Sequence, residues 1–175
     1  GAAGSAGAAG TGTVGTAGNA GTTTLNVTGA AAVTMAGAVT VGTDGDATLV
    51  INNSTDTNAT DVTFSSTIGT SSAKLGTLTH TAGGTTFSGN VFIGTLVKSD
   101  DGTLDFNGDV TATTITTGAE DITFAGDVTS AISLTANDLI TADGAAAQAF
   151  TGAITAAAQS VGDITVSNTG GQVTF

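Results

Sequence analysis

An all-β fold, a parallel β-solenoid or β-helix of irregular 18–29-residue rungs, is what the pattern of this chain encodes, and three observations carry that reading. A Phe-centred phrase recurs along the sequence, the composition favours strands, and short apolar runs alternate with turn residues without any helical period.

The phrase reads DVTFSSTI at Asp61 to Ile68, TTFSGNV at Thr85 to Val91, LDFNGDV at Leu104 to Val110, ITFAGDV at Ile122 to Val128 and QAFTGAI at Gln148 to Ile154. An earlier form, VTMAGAV, spans Val33 to Val39, and a truncated QVTF ends at Phe175. Six of the seven Phe residues are expected in one slot, Phe64, Phe87, Phe106, Phe124, Phe150 and Phe175, at steps of 23, 19, 18, 26 and 25, with Met35 preceding by 29. A repeat with variable loops is how a solenoid looks when each copy can bury its apolar face only against its neighbours.

Apolar residues make up 39% of the chain but aromatic ones only 4%, and Thr is abundant beside Val, Ile, Leu and Ala. Thr and Val fit pleated, half-buried surfaces. The mean hydropathy of +0.32 argues against wholesale disorder, which needs low hydrophobicity.

Along the chain, residues 1–21 are almost entirely Gly, Ala, Ser and Thr, a composition that reads as a flexible arm or linker before a β-repeat domain over 22–175. The start also lacks a basic and apolar leader, which suggests a processed or excised piece. Strands then follow from TLNVTG, AVTMAGAVTVG, ATLVINN, DVTFSSTIG, KLGTLTHTAGG, NVFIGTLVKSDDG and DITVSN, each broken by Gly, Asn or Asp. GAAAQAFTGAITAAAQ at Gly144 to Gln159 has helical composition. Its AFTGAI copies the phrase, so strand is the expectation there. Within LDFNGDV, alternation puts Leu104, Phe106, Gly108 and Val110 on one face and Asp105, Asn107 and Asp109 on the other. The Phe rings then stack along the interior. Two antiparallel β-sandwich domains are the alternative architecture, disfavoured by the absence of Trp, Tyr and Pro.

TTFSGNV, LDFNGDVTATTITTGAEDITFAGDV and ANDLITADGAAAQAFTGAI resemble the Gly-, Thr- and Asn-rich repeats of large bacterial surface proteins: autotransporter passengers, filamentous-haemagglutinin-like adhesins and surface-layer proteins. The resemblance covers about Leu25 to Phe175 and carries no catalytic residue. It implies an exported structural or adhesive element, and the expected function is an extracellular or cell-surface β-rich module of an adhesin, surface layer or filament, with assembly with copies of itself as a separate expectation. Carbohydrate-binding phage or cell-surface fibres share the same grammar.

Charge excludes other classes. Fourteen acidic residues stand against Lys74 and Lys98, with no Arg, for a net charge of −12. Nucleic acid and anionic lipid headgroups are bound through Lys and Arg clusters, so neither is an expected partner. No run of about 20 apolar residues suggests membrane insertion. Without Cys, disulfides and thiolate metal sites are ruled out.

Chemistry is sparse. His80 is the only His and reads as an ordinary surface or strand residue; Lys74 and Lys98 read as solvated charges. Paired carboxylates, Asp100 with Asp101, Asp105 with Asp109 and Asp121 with Asp127, are the one handle for a polysaccharide-cleaving enzyme. The Arg, Trp and Tyr that usually grip sugars are missing, so no catalytic role and no organic cofactor are assigned. Calcium suits the acidic residues better: Asp44 and Asp46 in GTDGDAT, and Asp100 and Asp101 in KSDDGT, put hard oxygen ligands beside flexible Gly. Neither the EF-hand spacing nor the G-G-x-G-x-D nonapeptide occurs, and ordinary turns are the competing reading. Sequons begin at Asn26, Asn52, Asn53 and Asn58, so a glycan is conceivable on an exported protein.

Overall fold

The computed structural model describes residues 23–29, 32–53, 60–99, 102–118, 121–135, 139–156 and 162–175. Strands follow one another as β1 (Thr23–Gly29), β2 (Val33–Met35), β3 (Ala47–Asn53), β4 (Thr60–Phe64), β5 (Leu75–Ala82), β6 (Gly84–Phe87), β7 (Val91–Lys98) and β8 (Leu104–Phe106). They continue as β9 (Val110–Thr117), β10 (Ile122–Phe124), β11 (Val128–Leu134), β12 (Leu139–Ala142), β13 (Gln148–Thr151), β14 (Ile154–Ala156), β15 (Asp163–Val166) and β16 (Val173–Thr174). The odd-numbered strands from β1 to β13, then β16, form a broad sheet, with β14 beside β11. The even-numbered strands from β2 to β12, then β15, form a narrow sheet. All pairing between named strands is parallel, and the chain winds as a β-solenoid of about six turns with no helix among the described residues. The β-sandwich alternative is thereby excluded, and Gly144–Gln159 contributes β13 and β14.

Like residues stack in columns because each rung repeats the register of the one below. In the narrow sheet Met35 pairs with Phe64, Phe64 with Phe87, Phe87 with Phe106 and Phe106 with Phe124. The first three ring pairs in that column stack with centroids 4.9, 5.0 and 5.3 Å apart, nearly parallel. In the broad sheet Leu25, Leu49, Leu78, Leu96, Ile115 and Ile132 form a second apolar column. Each four-Phe or aliphatic stack removes apolar surface from water, the dominant favourable contribution to folding.

The recurring phrase turns a corner instead of lying in one strand, which corrects the shared face expected for Phe106 and Val110. Phe106 closes β8 in the narrow sheet and Val110 opens β9 in the broad one. Gly makes the corner possible. A Cβ on Gly108 would lie 2.6 Å from the Gly89 carbonyl carbon, and one on Gly126 would lie 2.6 Å from that of Gly108. Stacked corners leave no room for a side chain there. The next residue locks the corner to its neighbour: Asn90 Oδ1 accepts the Asp109 amide at 3.0 Å, and Asp109 Oδ1 accepts the Asp127 amide at 3.0 Å. Asp127 Oδ1 accepts the Ala149 amide at 2.8 Å.

Long broad-sheet strands bend in the middle. Val91 and Ile93 face inward, but so do Leu96 and Lys98, and Gly94 between them drops out of the pairing with β5 and β9. This shift of parity carries one strand across two faces of the interior. Strands β5, β7 and β9 each reach eight residues in this way.

Two Phe residues leave the expected slot. Phe124 pairs with Ala142, and Phe150 pairs with Val128 in the other sheet. The phrase QAFTGAI thus sits four residues further along the rung than its letters suggest, because Ile154 pairs with Ile132. A longer corner precedes it, and Gln148 fills that corner, buried, with Nε2 donating to the carbonyls of Phe124 and Gly126 at 2.8 Å each. Phe175 follows Phe150 into the same column, ring stacked on ring at 5.1 Å.

Candidate functional site

Three sets of residues could carry chemistry: polar groups inside the solenoid, acidic residues at its corners, and hydroxyl columns on its outer faces.

Inside, Ile51 pairs with His80 and His80 with Lys98, all with side chains directed into the core. His80 is 0% and Lys98 1% exposed, which corrects the expectation of a solvated Lys98 and places His80, a strand residue as expected, in the interior and not at the surface. Strand alternation explains it, since Leu78 and Leu96 are inward and His80 and Lys98 stand two residues on. Neither is without a partner, as a buried polar group requires. Thr117 and Asn53 are buried at neighbouring strand ends. These groups are sealed from solvent and lie among the core side chains. Burial of Asn53 also removes it as a glycan acceptor, whereas Asn26 and Asn52 are exposed and Asn58 lies outside the described residues. Thr85, 0% exposed, interrupts the aliphatic column between Val62 and Leu104, and its Oγ1 has no hydrogen-bond partner.

Of the calcium candidates, Asp44 and Asp46 lie exposed on the turn before β3, and Asp100 and Asp101 lie outside the described residues. Asp44 Oδ1 accepts the Lys74 amide at 2.7 Å, tying this turn to the next rung. Among the described residues no group of three or more metal-ligating side chains comes together. Of the carboxylates paired in sequence, Asp109 and Asp127 cap corner amides, Asp121 is exposed ahead of β10, Asp105 points out from β8, and Asp100 and Asp101 lie outside the described residues. Burial pushes the Asp105 carboxyl above its usual range, a hydrogen bond with Thr123 opposes this, and the charge of Asp143 adds to the rise.

Outside, the narrow sheet carries a column of Thr34, Thr63, Thr86, Asp105, Thr123 and Thr141. The broad sheet carries Thr24, Thr48, Thr77, Thr95 and Thr114 in five successive rungs. Two residues along each strand, Asn26, Val50, Thr79, Val97 and Thr116 form a parallel column. Regular outward hydroxyls, not an enclosed cleft, are what the rungs repeat. No protein-family model, no curated protein and no solved structure matches this chain.

Proposed function

We propose that this chain is an extracellular structural module, the rod of a surface adhesin, surface layer or filament, which assembles with copies of itself. The observation that supports this best is the parallel register repeated from rung to rung in both sheets; in β15 Ile164 and Val166 are 41% and 53% exposed, and Phe175, just past β16, is 59% exposed. Edge strands with apolar side chains and free ladder groups are templates for further strands. Polarity suits a head-to-tail joint: β2 at the opposite edge of the narrow sheet runs parallel to β15, and its Met35 occupies the column that Val166 ends. The resemblance of the repeat phrases to bacterial surface proteins supports an exported location, and the net charge of −12 keeps free surfaces from sticking indiscriminately.

Light scattering over a concentration series, followed by electron microscopy, tests the proposal. Rods whose length grows with concentration are expected, and Val166→Lys should shorten them without lowering the melting temperature. A chain that stays monomeric at high concentration overturns self-assembly. Deleting residues 1–21 asks separately whether the arm contributes to the joint.

A further inference from the structure

We propose that the outer face of the broad sheet, over β3, β5, β7 and β9, is an ice-binding surface. Two columns make this face. The first holds Thr48, Thr77, Thr95 and Thr114, and the second holds Val50, Thr79, Val97 and Thr116. Parallel strands repeat every 4.8 Å or about that, and residues two apart along a strand are separated by about 6.6 Å. The face is therefore a two-dimensional grid of methyl and hydroxyl groups with fixed periods in both directions. Oxygen rows on the surfaces of hexagonal ice recur with a short and a long period close to these two lengths.

Three further features suit a solid water surface. Threonine and valine are β-branched, so their χ1 freedom is restricted and the grid is stiffened before it meets a ligand. Along the first column one hydroxyl pair is in contact, Thr114 Oγ1 lying 3.4 Å from Thr95 Oγ1. Methyl groups order the first layer of water, and hydroxyls anchor that layer to the protein. Finally, neither column contains a charged side chain, in a chain carrying fourteen carboxylates. A charge would hold its own hydration shell and break the lattice. The narrow sheet shows the contrast: its short strands offer a single hydroxyl column, and Asp105 interrupts it.

A crystalline polysaccharide is the competing flat ligand. Sugar rings are usually gripped by aromatic faces, and the chain has no Trp or Tyr. Ice needs no such group, only many weak contacts in register.

The test grows single ice crystals in solutions of the purified full chain and measures crystal shape, the gap between melting and freezing points, and protein incorporated into slowly grown ice. Faceted crystals and a freezing gap are expected. Thr95→Lys should abolish both while Thr63→Lys, on the narrow sheet, keeps them. Should Thr95→Lys lower the melting temperature, the exposed Thr114→Gln carries the same comparison. Round, unshaped crystals with the unaltered chain overturn the proposal. So does equal loss in Thr63→Lys, full retention in both broad-sheet variants, or adsorption to crystalline cellulose without any shaping of ice.

Discussion

The ring of Phe150 meets that of Phe124 edge-on, with centroids 5.9 Å apart and planes at 85°, because Ala142 and not Phe150 stands in register with Phe124. A small residue ends the stack of parallel rings, and the next ring enters from the other sheet to cover it. Edge-to-face contact is as favourable a geometry for two rings as offset stacking. The irregular sixth rung therefore keeps its aromatic cover by a different route.

Removing a ring from the middle of that stack should be expensive. Phe87→Ala or Phe106→Ala is expected to cost about 3–5 kcal/mol, as for large core truncations that leave a cavity. Phe92→Ala should cost clearly less, since Phe92 is only half-buried, outside the column. Urea unfolding of the three variants checks the ranking.

Corner glycines make a sharper contrast. Gly108→Ala forces a Cβ against the backbone of Gly89 and should destabilise by about 1–3 kcal/mol, the range of overpacked cores. Gly42→Ala has nothing within 4 Å of its new methyl and should be neutral or slightly stabilising. Comparable melting temperatures for both would show that the corners are not stacked.

Thr85→Val is expected to stabilise the fold by about 1 kcal/mol, since it replaces a buried hydroxyl lacking a hydrogen-bond partner with a methyl of similar shape. Thermal unfolding at fixed pH reads the gain directly.

Asp105 predicts a pH dependence whose sign follows from its raised pKa. The folded state holds the proton more tightly than the unfolded chain, so its contribution falls as pH rises from the ordinary carboxylate range through the raised value. Above that window the ionised group is a standing penalty. Asp105→Asn should therefore be the more stable protein at neutral pH, and the gain should vanish in acid. Melting curves of both proteins from acid to neutral pH check it.

Much of the fold was legible in the letters. Parallel rungs, the Phe stack from Phe64 to Phe124, and strand in place of helix at Gly144–Gln159 follow from a repeat whose units share one register. The letters misled at Phe150 because spacing within the phrase is preserved there while spacing to the previous rung changes, and only the pairing of Ala142 reveals it. The corner at Gly108 was hidden for a related reason: alternation continues in sequence even where the backbone turns. Lys98 lies inside where a solvated charge was expected, and His80 is a strand residue as expected but faces inward, although alternation from Leu78 and Leu96 pointed there for both. General preference for exposed charge outweighed the local period. Asp109 beside Asp105, and Asp127 beside Asp121, suggested paired acids in sequence, but neighbouring rungs use Asp109 and Asp127 as caps, a role that depends on stacking and has no signature within one copy.

The step from the Phe column to its partner across the corner is four residues in five successive rungs, from Met35 to Val39, Phe64 to Ile68, Phe87 to Val91, Phe106 to Val110 and Phe124 to Val128. Between the end of each broad-sheet strand and the following narrow-sheet strand the chain length varies freely, from the single residue Gly83 to the six residues 54–59. Segment length thus differs from rung to rung at this margin, while the stacked corner keeps its four-residue step in these five rungs. Segments of different length there leave the paired register of the rungs intact, so that margin is where a foreign peptide could be grafted as a passenger on an unaltered frame.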